Sequence, residues 1–187
     1  GAIDIFVGGK TVPCSFPLSS RSYILRNDSK IGMVKFTDVT QQLAPALMNP
    51  GMISAAAWLP VKNSKELSLV IAGDFMPVEI FKYSSGKFTD VSKEAGLENT
   101  NGMWAALHIG DVDHDGNVDI VAGNCGTNTQ YKSSPDRQVT LYYNDYNGNG
   151  IIDPLTCYYI GHTHYPMPSQ DHLMDAIHPP KTNVAPS

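Results

Sequence analysis

Two short acidic stretches of this 187-residue sequence place oxygen-bearing side chains at regular spacing. The first reads DVDHDGNVD at residues 111–119, with aspartates at positions 1, 3, 5 and 9 and glycine at position 6. Calcium takes about six to eight hard oxygen ligands, and carboxylates at alternate positions can converge on it when a glycine turns the backbone. This stretch therefore predicts a calcium site.

The predicted ligands of this first site are four carboxylates and one main-chain carbonyl: Asp111, Asp113, Asp115, Asp119 and the carbonyl of Asn117. An EF-hand would have a bidentate glutamate at position 12, where this sequence has Ala122, so the stretch is not an EF-hand. The alternative is an Asx-rich turn that holds no metal. Four mutually repelling carboxylates favour the cation.

The second stretch, DYNGNGIID at residues 145–153, keeps the spacing and has amides at positions 3 and 5. Its predicted ligands are Asp145, Asn147, Asn149, the carbonyl of Ile151, and Asp153. Fewer carboxylates lower the charge of the site, so we expect weaker calcium binding here. The corresponding stretch PVKNSKELS at residues 60–68 has lost the pattern, and no metal is expected there.

An internal repeat positions these stretches. FTDVT at residues 36–40 recurs as FTDVS at 88–92, and Gly-Met at 51–52 recurs at 102–103. A fixed period of about 51 residues is typical of propellers and solenoids. The predicted fold class is all-β: a partial β-propeller of about three four-stranded blades, with calcium-binding loops between strands.

The repeat divides the chain into propeller repeats over residues 1–160 and a His/Pro-rich C-terminal segment over 161–187. Within the repeats we expect a truncated blade (1–48) and two further blades (49–99 and 100–160). Their strands are predicted near 52–59, 67–72, 78–83 and 87–91, and near 103–110, 119–122, 138–144 and 152–160. Because the chain opens inside a strand pattern, we expect the natural N-terminus to precede residue 1.

Charge and hydropathy exclude some partners. The formal net charge is −5, so no basic surface favours nucleic acid or an anionic membrane. No apolar run is long enough to predict a transmembrane helix. The three cysteines, Cys14, Cys125 and Cys157, match neither a disulfide framework nor a zinc site, although a bridge between Cys125 and Cys157 stays open.

The ordered motifs resemble a known family. Residues 103–123 look like the FG-GAP/VCBS repeats of calcium-binding propellers. A closer resemblance, to exported bacterial proteins of the ASPIC/UnbV-like type, is carried by FTDVT at 36–40, GDFMP at 73–77, AGNCGTN at 122–128 and residues 145–154. The resemblance implies a secreted, periplasmic or cell-surface location. It carries over no defined biochemical activity.

Features that could indicate an enzyme are weak. His162 and His164 could share a strand face as a transition-metal pair, but no third ligand has suitable spacing, and no nucleophile elbow or phosphate loop is present. Trp58 and Trp104 could serve as sugar platforms, although a core position is expected for both.

We therefore expect a noncatalytic calcium-binding extracellular module that binds a protein or glycan. The alternative is the propeller portion of a calcium-dependent polysaccharide-degrading enzyme. Fewer than four repeats fit in the chain, so an open arc is expected, with self-association through its open blade edges.

Overall fold

The structure, a computed structural model, describes residues 3–61, 66–126, 129, 131, 133, 134, 136–169, 171 and 173. Strands make up 48% of the chain and helix 6%, which confirms the all-β class. The strands form three antiparallel sheets, none of which is closed. Much of the predicted C-terminal segment, including His172 and His178, and residues 62–65 lie outside the described part of the chain.

Twelve strands and two short helical segments follow one another along the chain. The strands are β1 (Ile5–Val7), β2 (Tyr23–Asn27), β3 (Phe36–Asp38), β4 (Met52–Pro60), β5 (Leu67–Met76), β6 (Glu79–Ser84), β7 (Lys87–Asp90), β8 (Gly102–Gly110), β9 (Asp119–Asn124), β10 (Thr140–Asn144), β11 (Asp153–Ile160) and β12 (Thr163–Pro166). A helical turn α1 (Thr40–Leu43) and a 3₁₀ turn (Pro45–Met48) connect β3 to β4. Two compact units divide the chain, one of residues 1–12 and 18–125 and the other of residues 13–17 and 126–187.

The middle sheet contains the four strands expected for residues 49–99. β4 pairs with β5, β5 with β6 and β6 with β7, all antiparallel. The run Leu69–Ala72 of β5 is buried on both faces, as its continuous apolar sequence predicts. The end of β5 also pairs with the start of β8, which joins the β8–β9 hairpin to this sheet.

The FTDVT and FTDVS motifs make the same hydrogen bonds in two sheets. The Thr40 hydroxyl donates to Asp38 and accepts the backbone N–H of Ile24. The Ser92 hydroxyl likewise donates to Asp90 and accepts the N–H of Ile80. A buried hydroxyl satisfied in this way ties the end of the outer strand to its neighbour. The two motifs therefore make matching hydrogen bonds, one in the β1–β3 sheet and one in the β4–β7 strands.

Alternate residues of β5 enter two apolar clusters. Leu69 and Ile71 pack with residues of the first part of the chain, among them Ile24 and Leu47. Val70 and Ala72 belong to a second cluster, against which the partly buried residues Leu59, Ile80, Leu97, Trp104, Leu107, Ile109, Ile120 and Ala122 pack. The middle sheet thus lies between the β1–β3 sheet and the β8–β9 hairpin, with an apolar layer on each side.

The strands expected to form one blade over residues 100–160 fall in two sheets. β8 and β9 pair with each other, whereas β10 pairs with β11 and β11 with β12. No pairing joins β9 to β10 among the described residues. β11 takes its second hydrogen-bonding partner from β12, which lies inside the predicted C-terminal segment. This differs from the predicted strand grouping.

Candidate metal-binding loops

Residues 111–118 form the connection between β8 and β9. The hairpin ladder ends at the pair formed by Gly110 and Asp119, so positions 1 to 8 of the acidic stretch project as one loop. Both flanking strands are anchored by the second apolar cluster, to which Ile109 and Ile120 contribute. The loop is therefore exposed, whereas the strand ends at its base pack against the second apolar cluster.

Three of the predicted ligands converge in this loop. One carboxylate oxygen from each of Asp111, Asp113 and Asp115 lies within 4.8 Å of the other two. Among the described residues this is the one such group of histidine, cysteine or acidic side chains. Three carboxylates at this separation repel each other, and a hard cation between them would relieve that repulsion.

Backbone N–H groups hold the three carboxylates in place. Asp111 accepts from Asp115 at 3.2 Å and from Gly116 at 3.0 Å. Asp113 accepts from Asp115 at 3.1 Å, and Asp115 accepts from Asn117 at 2.7 Å. These are Asx-type turns, in which a side-chain oxygen bonds a backbone N–H two or more residues ahead.

The other two predicted ligands behave differently. Asp119 is not part of the group of three, and its Oδ2 accepts the backbone N–H of Val112 at 2.9 Å. Asn117 donates its side-chain amide to Asp115 at 2.7 Å. Asp119 thus closes the base of the loop.

The second loop, between β10 and β11, repeats five backbone-donor hydrogen bonds of the first and adds one from the N–H of Gly148 to Asp145 at 2.7 Å. The ladder ends at Asn144 and Asp153, which corresponds to the Gly110 and Asp119 pair. Asp145 accepts from the N–H groups of Asn149 at 3.0 Å and Gly150 at 2.8 Å. The remaining equivalents are the bonds from Asn149 to Asn147, from Ile151 to Asn149, and from Tyr146 to Asp153.

Both loops need left-handed backbone at positions 4 and 6. At position 6, Gly116 has a φ of 84° and Gly150 a φ of 82°. At position 4, the first loop has His114 with a φ of 61°, and the second has Gly148 with a φ of 73°. Glycine adopts this region without steric cost, whereas a residue with a Cβ is strained there.

Hydrogen bonds stabilise the ionised form of two carboxyls in these loops. The side-chain amide of Asn117, together with its backbone N–H, holds the pKa of Asp115 below its usual value. The backbone N–H of Gly150 has the largest effect in lowering the pKa of Asp145, followed by that of Asn149. Both groups are therefore anionic at neutral pH and available to a cation.

The connection of the β4–β5 hairpin differs in length from the two acidic loops. Its ladder ends at Pro60 and Leu67, so the connection is two residues shorter than the acidic loop of β8–β9. Residues 62–65 of this connection, which carry part of the sequence prediction, lie outside the described residues.

The structure also places the residues considered for catalysis and sugar binding. His164 stacks on Tyr159 with ring centroids 4.6 Å apart, whereas Nδ1 of His162 lies 3.5 Å from Arg137. Trp104 packs against the second cluster and donates its indole N–H to the carbonyl of Thr100, as a core residue would. Trp58 is exposed, so its expected core position is wrong: it lies on β4, with its ring centroid 6.2 Å from that of Phe88. All three cysteines are free.

One carboxyl outside the loops was not singled out from the sequence. Glu79, at the start of β6, is half-buried, and this burial together with the negative charge of Asp90 raises its pKa to about 7. Glu79 and Phe81 are two residues apart on β6 and therefore lie on the same face of the strand. Because Phe81 lies in the first apolar cluster, this spacing was the sequence signal that could have identified Glu79. A glutamate in such a position is desolvated.

Comparison with known proteins adds no assignment, because no family model and no curated protein matches this sequence. No helix of the described residues has both the length and the apolar character required to cross a membrane.

Proposed function

We propose that this chain is a calcium-binding, noncatalytic module of the β-propeller type, which binds a protein or glycan outside the cytoplasm. The observation that carries the calcium proposal is the convergence of Asp111, Asp113 and Asp115, whose carboxylate oxygens lie within 4.8 Å of one another. The donor set favours calcium over a transition metal because it contains oxygen and no thiolate or imidazole.

The stacked sheets support a propeller-type architecture. Strands β4–β7, which belong to a six-stranded sheet and have apolar neighbours packed on both faces, resemble a blade between two blades. The FTDVT and FTDVS hydrogen bonds repeat at the corresponding place in two successive sheets. Together with the FG-GAP/VCBS resemblance of residues 103–123, these features favour a propeller over an unrelated set of hairpins.

The exposure of the acidic loop supports an extracellular, periplasmic or surface location. Asp111, Asp113 and Asp115 are all exposed, and a loop with three clustered carboxylates and open access to water binds calcium weakly. Extracellular modules work with dissociation constants of about 10⁻⁴–10⁻³ M, because calcium is abundant outside cells. A site of this kind would be largely empty at cytoplasmic calcium levels.

Calcium binding is tested by titration calorimetry and by thermal unfolding with calcium or EDTA. We expect measurable heat, and a lower melting temperature in EDTA, because a metal that binds the folded chain stabilises it. Asp113→Ala should reduce both effects. Asp136→Ala, which changes an exposed aspartate outside both loops, is the matched control. No heat together with an unchanged melting temperature in EDTA would refute the proposal.

The partner class is tested by a glycan array probed with the fluorescently labelled chain in calcium and in EDTA. Calcium-dependent binding to a defined glycan class would identify the ligand as carbohydrate. Binding to no glycan would leave a protein as the proposed partner, to be tested by crosslinking to proteins of the native cell surface.

One observation favours the alternative of a polysaccharide-degrading enzyme. A carboxyl whose pKa is raised to about 7, as that of Glu79 is, can act as a general acid when a second carboxyl such as Asp90 is near it. Incubation of acidic and neutral polysaccharides with the wild-type chain and with Glu79→Gln tests this. Product formed by the wild type and lost in the variant would establish the alternative, and no product from either chain would count against it.

A further inference from the structure

The second loop contains two consecutive asparagine–glycine steps, Asn147–Gly148 and Asn149–Gly150. Such steps are chemically labile in water, because the backbone nitrogen of the glycine can attack the side-chain carbonyl carbon of the asparagine. Glycine permits this approach since it has no Cβ and tolerates a wide range of backbone angles. The first loop has Asp113 and Asp115 in place of these asparagines, so its positions 3 and 5 have no amide to lose.

The reaction at such a step is deamidation, and its atoms balance with water as the one co-reactant. The glycine nitrogen loses its proton and forms a bond to the asparagine Cγ. The bond from Cγ to Nδ2 breaks, and the side-chain nitrogen leaves with a proton as ammonia. Water then opens the cyclic imide at either of its two carbonyls, which gives aspartate or isoaspartate. Either product has a carboxylate where the asparagine had an amide.

A backbone N–H polarises the side-chain carbonyl of Asn149. Its Oδ1 accepts the N–H of Ile151 at 2.7 Å, whereas Oδ1 of Asn147 accepts a backbone N–H at 3.0 Å. Negative charge develops on this oxygen when the glycine nitrogen attacks, and a donor that is already in place stabilises that charge. Asn149 is also exposed to water, whereas Asn147 is half-buried. Asn149 is therefore the more reactive of the two asparagines.

Asp145 restrains the nitrogen that would attack Asn149. The N–H of Gly150 donates to Oδ2 of Asp145 at 2.8 Å. The nitrogen must lose this proton before it can attack, and its loss would place a second negative charge beside the carboxylate, which is unfavourable. The N–H of Gly148 is held in the same way, by Oδ1 of Asp145 at 2.7 Å. One carboxylate thus restrains the attacking nitrogen of both steps.

We propose that Asn149 is a site of spontaneous deamidation and that Asp145 sets its rate by holding the N–H of Gly150. The loop combines a polarised carbonyl with a restrained nucleophile, so the reaction is slow while this hydrogen bond is formed and faster when it is broken. Every group involved lies within residues 145–151. The inference therefore depends only on the structure of this loop.

Deamidation would change the charge of the second loop. The aspartate product would give position 5 the carboxylate that Asp115 supplies in the first loop, where it accepts the N–H of Asn117 in the equivalent turn. The isoaspartate product adds a carbon to the main chain and would disrupt that turn. An increase in calcium affinity on formation of aspartate rests on the proposed function, whereas the modification itself does not.

The modification is tested by incubating the chain at neutral pH in EDTA and mapping its peptides by mass spectrometry, which locates each deamidated residue. The samples are the wild type, the wild type unfolded in urea, and Asp145→Ala. Asp136→Ala, which removes an exposed carboxylate outside both loops, is the matched control. Asn101, which also precedes a glycine, reports on general unfolding within each sample.

We expect Asn149 to deamidate more slowly in the folded wild type than in urea. The rate in Asp145→Ala should be about tenfold higher than in the folded wild type, as the loss of one hydrogen bond to a charged group predicts. Asp136→Ala should match the wild type. The proposal is overturned if Asn149 is deamidated in no sample, or if Asp145→Ala leaves its rate unchanged. If Asn101 accelerates together with Asn149, the variant is unfolded, and equal rates in the folded and the urea-unfolded wild type then overturn the proposal.

A separate calcium titration distinguishes this inference from the proposed function. Asn149→Asp supplies the aspartate product directly, and its affinity is measured in the Asp113→Ala background so that the first loop contributes little. Tighter binding than in Asp113→Ala alone would support the effect of deamidation on calcium affinity. Unchanged binding would refute that effect, and no binding by the wild type would refute the proposed function. Neither result would alter the deamidation rates measured in EDTA.

Discussion

The loops of residues 111–119 and 145–153 have the same hydrogen-bond pattern and different charges. In both, side-chain oxygens at positions 1, 3, 5 and 9 accept backbone N–H groups of the loop. The second loop achieves this with the amides of Asn147 and Asn149 at positions 3 and 5. The loop shape therefore needs an acceptor at these positions and does not need a negative charge.

The difference in charge at positions 3 and 5 distinguishes what the loop shape requires from what the proposed calcium binding requires. Because Asn serves as the turn acceptor in the second loop, Asp113 and Asp115 are not required for the shape of the first. Their additional effect is to gather negative charge at one point, which is unfavourable without a cation. In the proposed calcium site these two carboxylates would contribute affinity, whereas the turn bonds set the shape of the loop.

The largest expected effect follows from giving the first loop the donors of the second. Asp113→Asn with Asp115→Asn keeps the turn acceptors and removes two charges, so we expect calcium affinity at this loop to fall by about 100-fold. Titration calorimetry on the variant and the wild type measures the change. A metal-free circular dichroism spectrum equal to that of the wild type would show that the loop shape survives. An unchanged affinity would show that the carboxylates do not bind the ion.

The reverse exchange should have a smaller effect. Asn147→Asp with Asn149→Asp gives the second loop the aspartates of the first at positions 1, 3, 5 and 9, and we expect its calcium affinity to rise by about 10-fold. The gain is smaller because position 7 of this loop has Ile151 where the first has Asn117, whose amide holds the carboxylate at position 5. Binding is measured in the Asp113→Ala background, so that the first loop contributes little. A weaker second site would contradict the expectation.

The two loops also differ at position 4, where the backbone is left-handed in both. Gly148→Ala introduces a Cβ at a φ of 73°, and we expect it to lower the free energy of unfolding by about 1 kcal/mol. His114→Gly removes such a Cβ at a φ of 61°, and should raise it by less, below about 1 kcal/mol, because glycine gains entropy in the unfolded chain. Urea unfolding in EDTA compares the two. Destabilisation by both changes would mean that the His114 side chain makes a stabilising contact.

The acidic loops could be predicted from sequence because their information is local. Spacing of aspartates, a glycine at position 6 and flanking strand patterns all lie within nine residues. Two details could not be predicted this way. Asp119 bonds Val112 and is not part of the carboxylate group, and His114 takes a left-handed backbone that its residue type does not indicate.

Strand positions of the middle sheet were predicted for a related reason. The position of each strand is indicated locally by an apolar run, such as Leu69–Ala72, and by the turn residues on either side of it. The internal sequence repeat indicates the order of the strands. Pairing between distant strands has no local signal, which is why β12 and the separate β10–β12 sheet were not predicted. The exposure of Trp58 is likewise a tertiary property that residue type does not specify.

The smallest expected effect concerns the pKa of Asp115 in the metal-free first loop. The Asn117 side-chain amide is the largest cause that lowers this pKa below 3.8, and the second loop has no equivalent because Ile151 stands at position 7. Asn117→Ala keeps the main-chain carbonyl and N–H but removes this donor, so the pKa of Asp115 should move back towards its usual value. Ionised Asp115 stabilises the folded chain at pH values above its pKa in the unfolded chain, and this stabilisation is lost as the pH falls through its lower pKa in the folded chain. The Asn117→Ala variant should therefore be less stable than the wild type at neutral pH, and this difference should disappear in acid. Carboxyl-carbon NMR titration in EDTA measures the change, with Asp145, whose donors are backbone N–H groups of its own loop, as the internal control. If Asn117→Ala leaves the pKa of Asp115 unchanged, backbone N–H groups alone lower the carboxyl pKa in both loops. The two loops would then differ only in the number of their carboxylates.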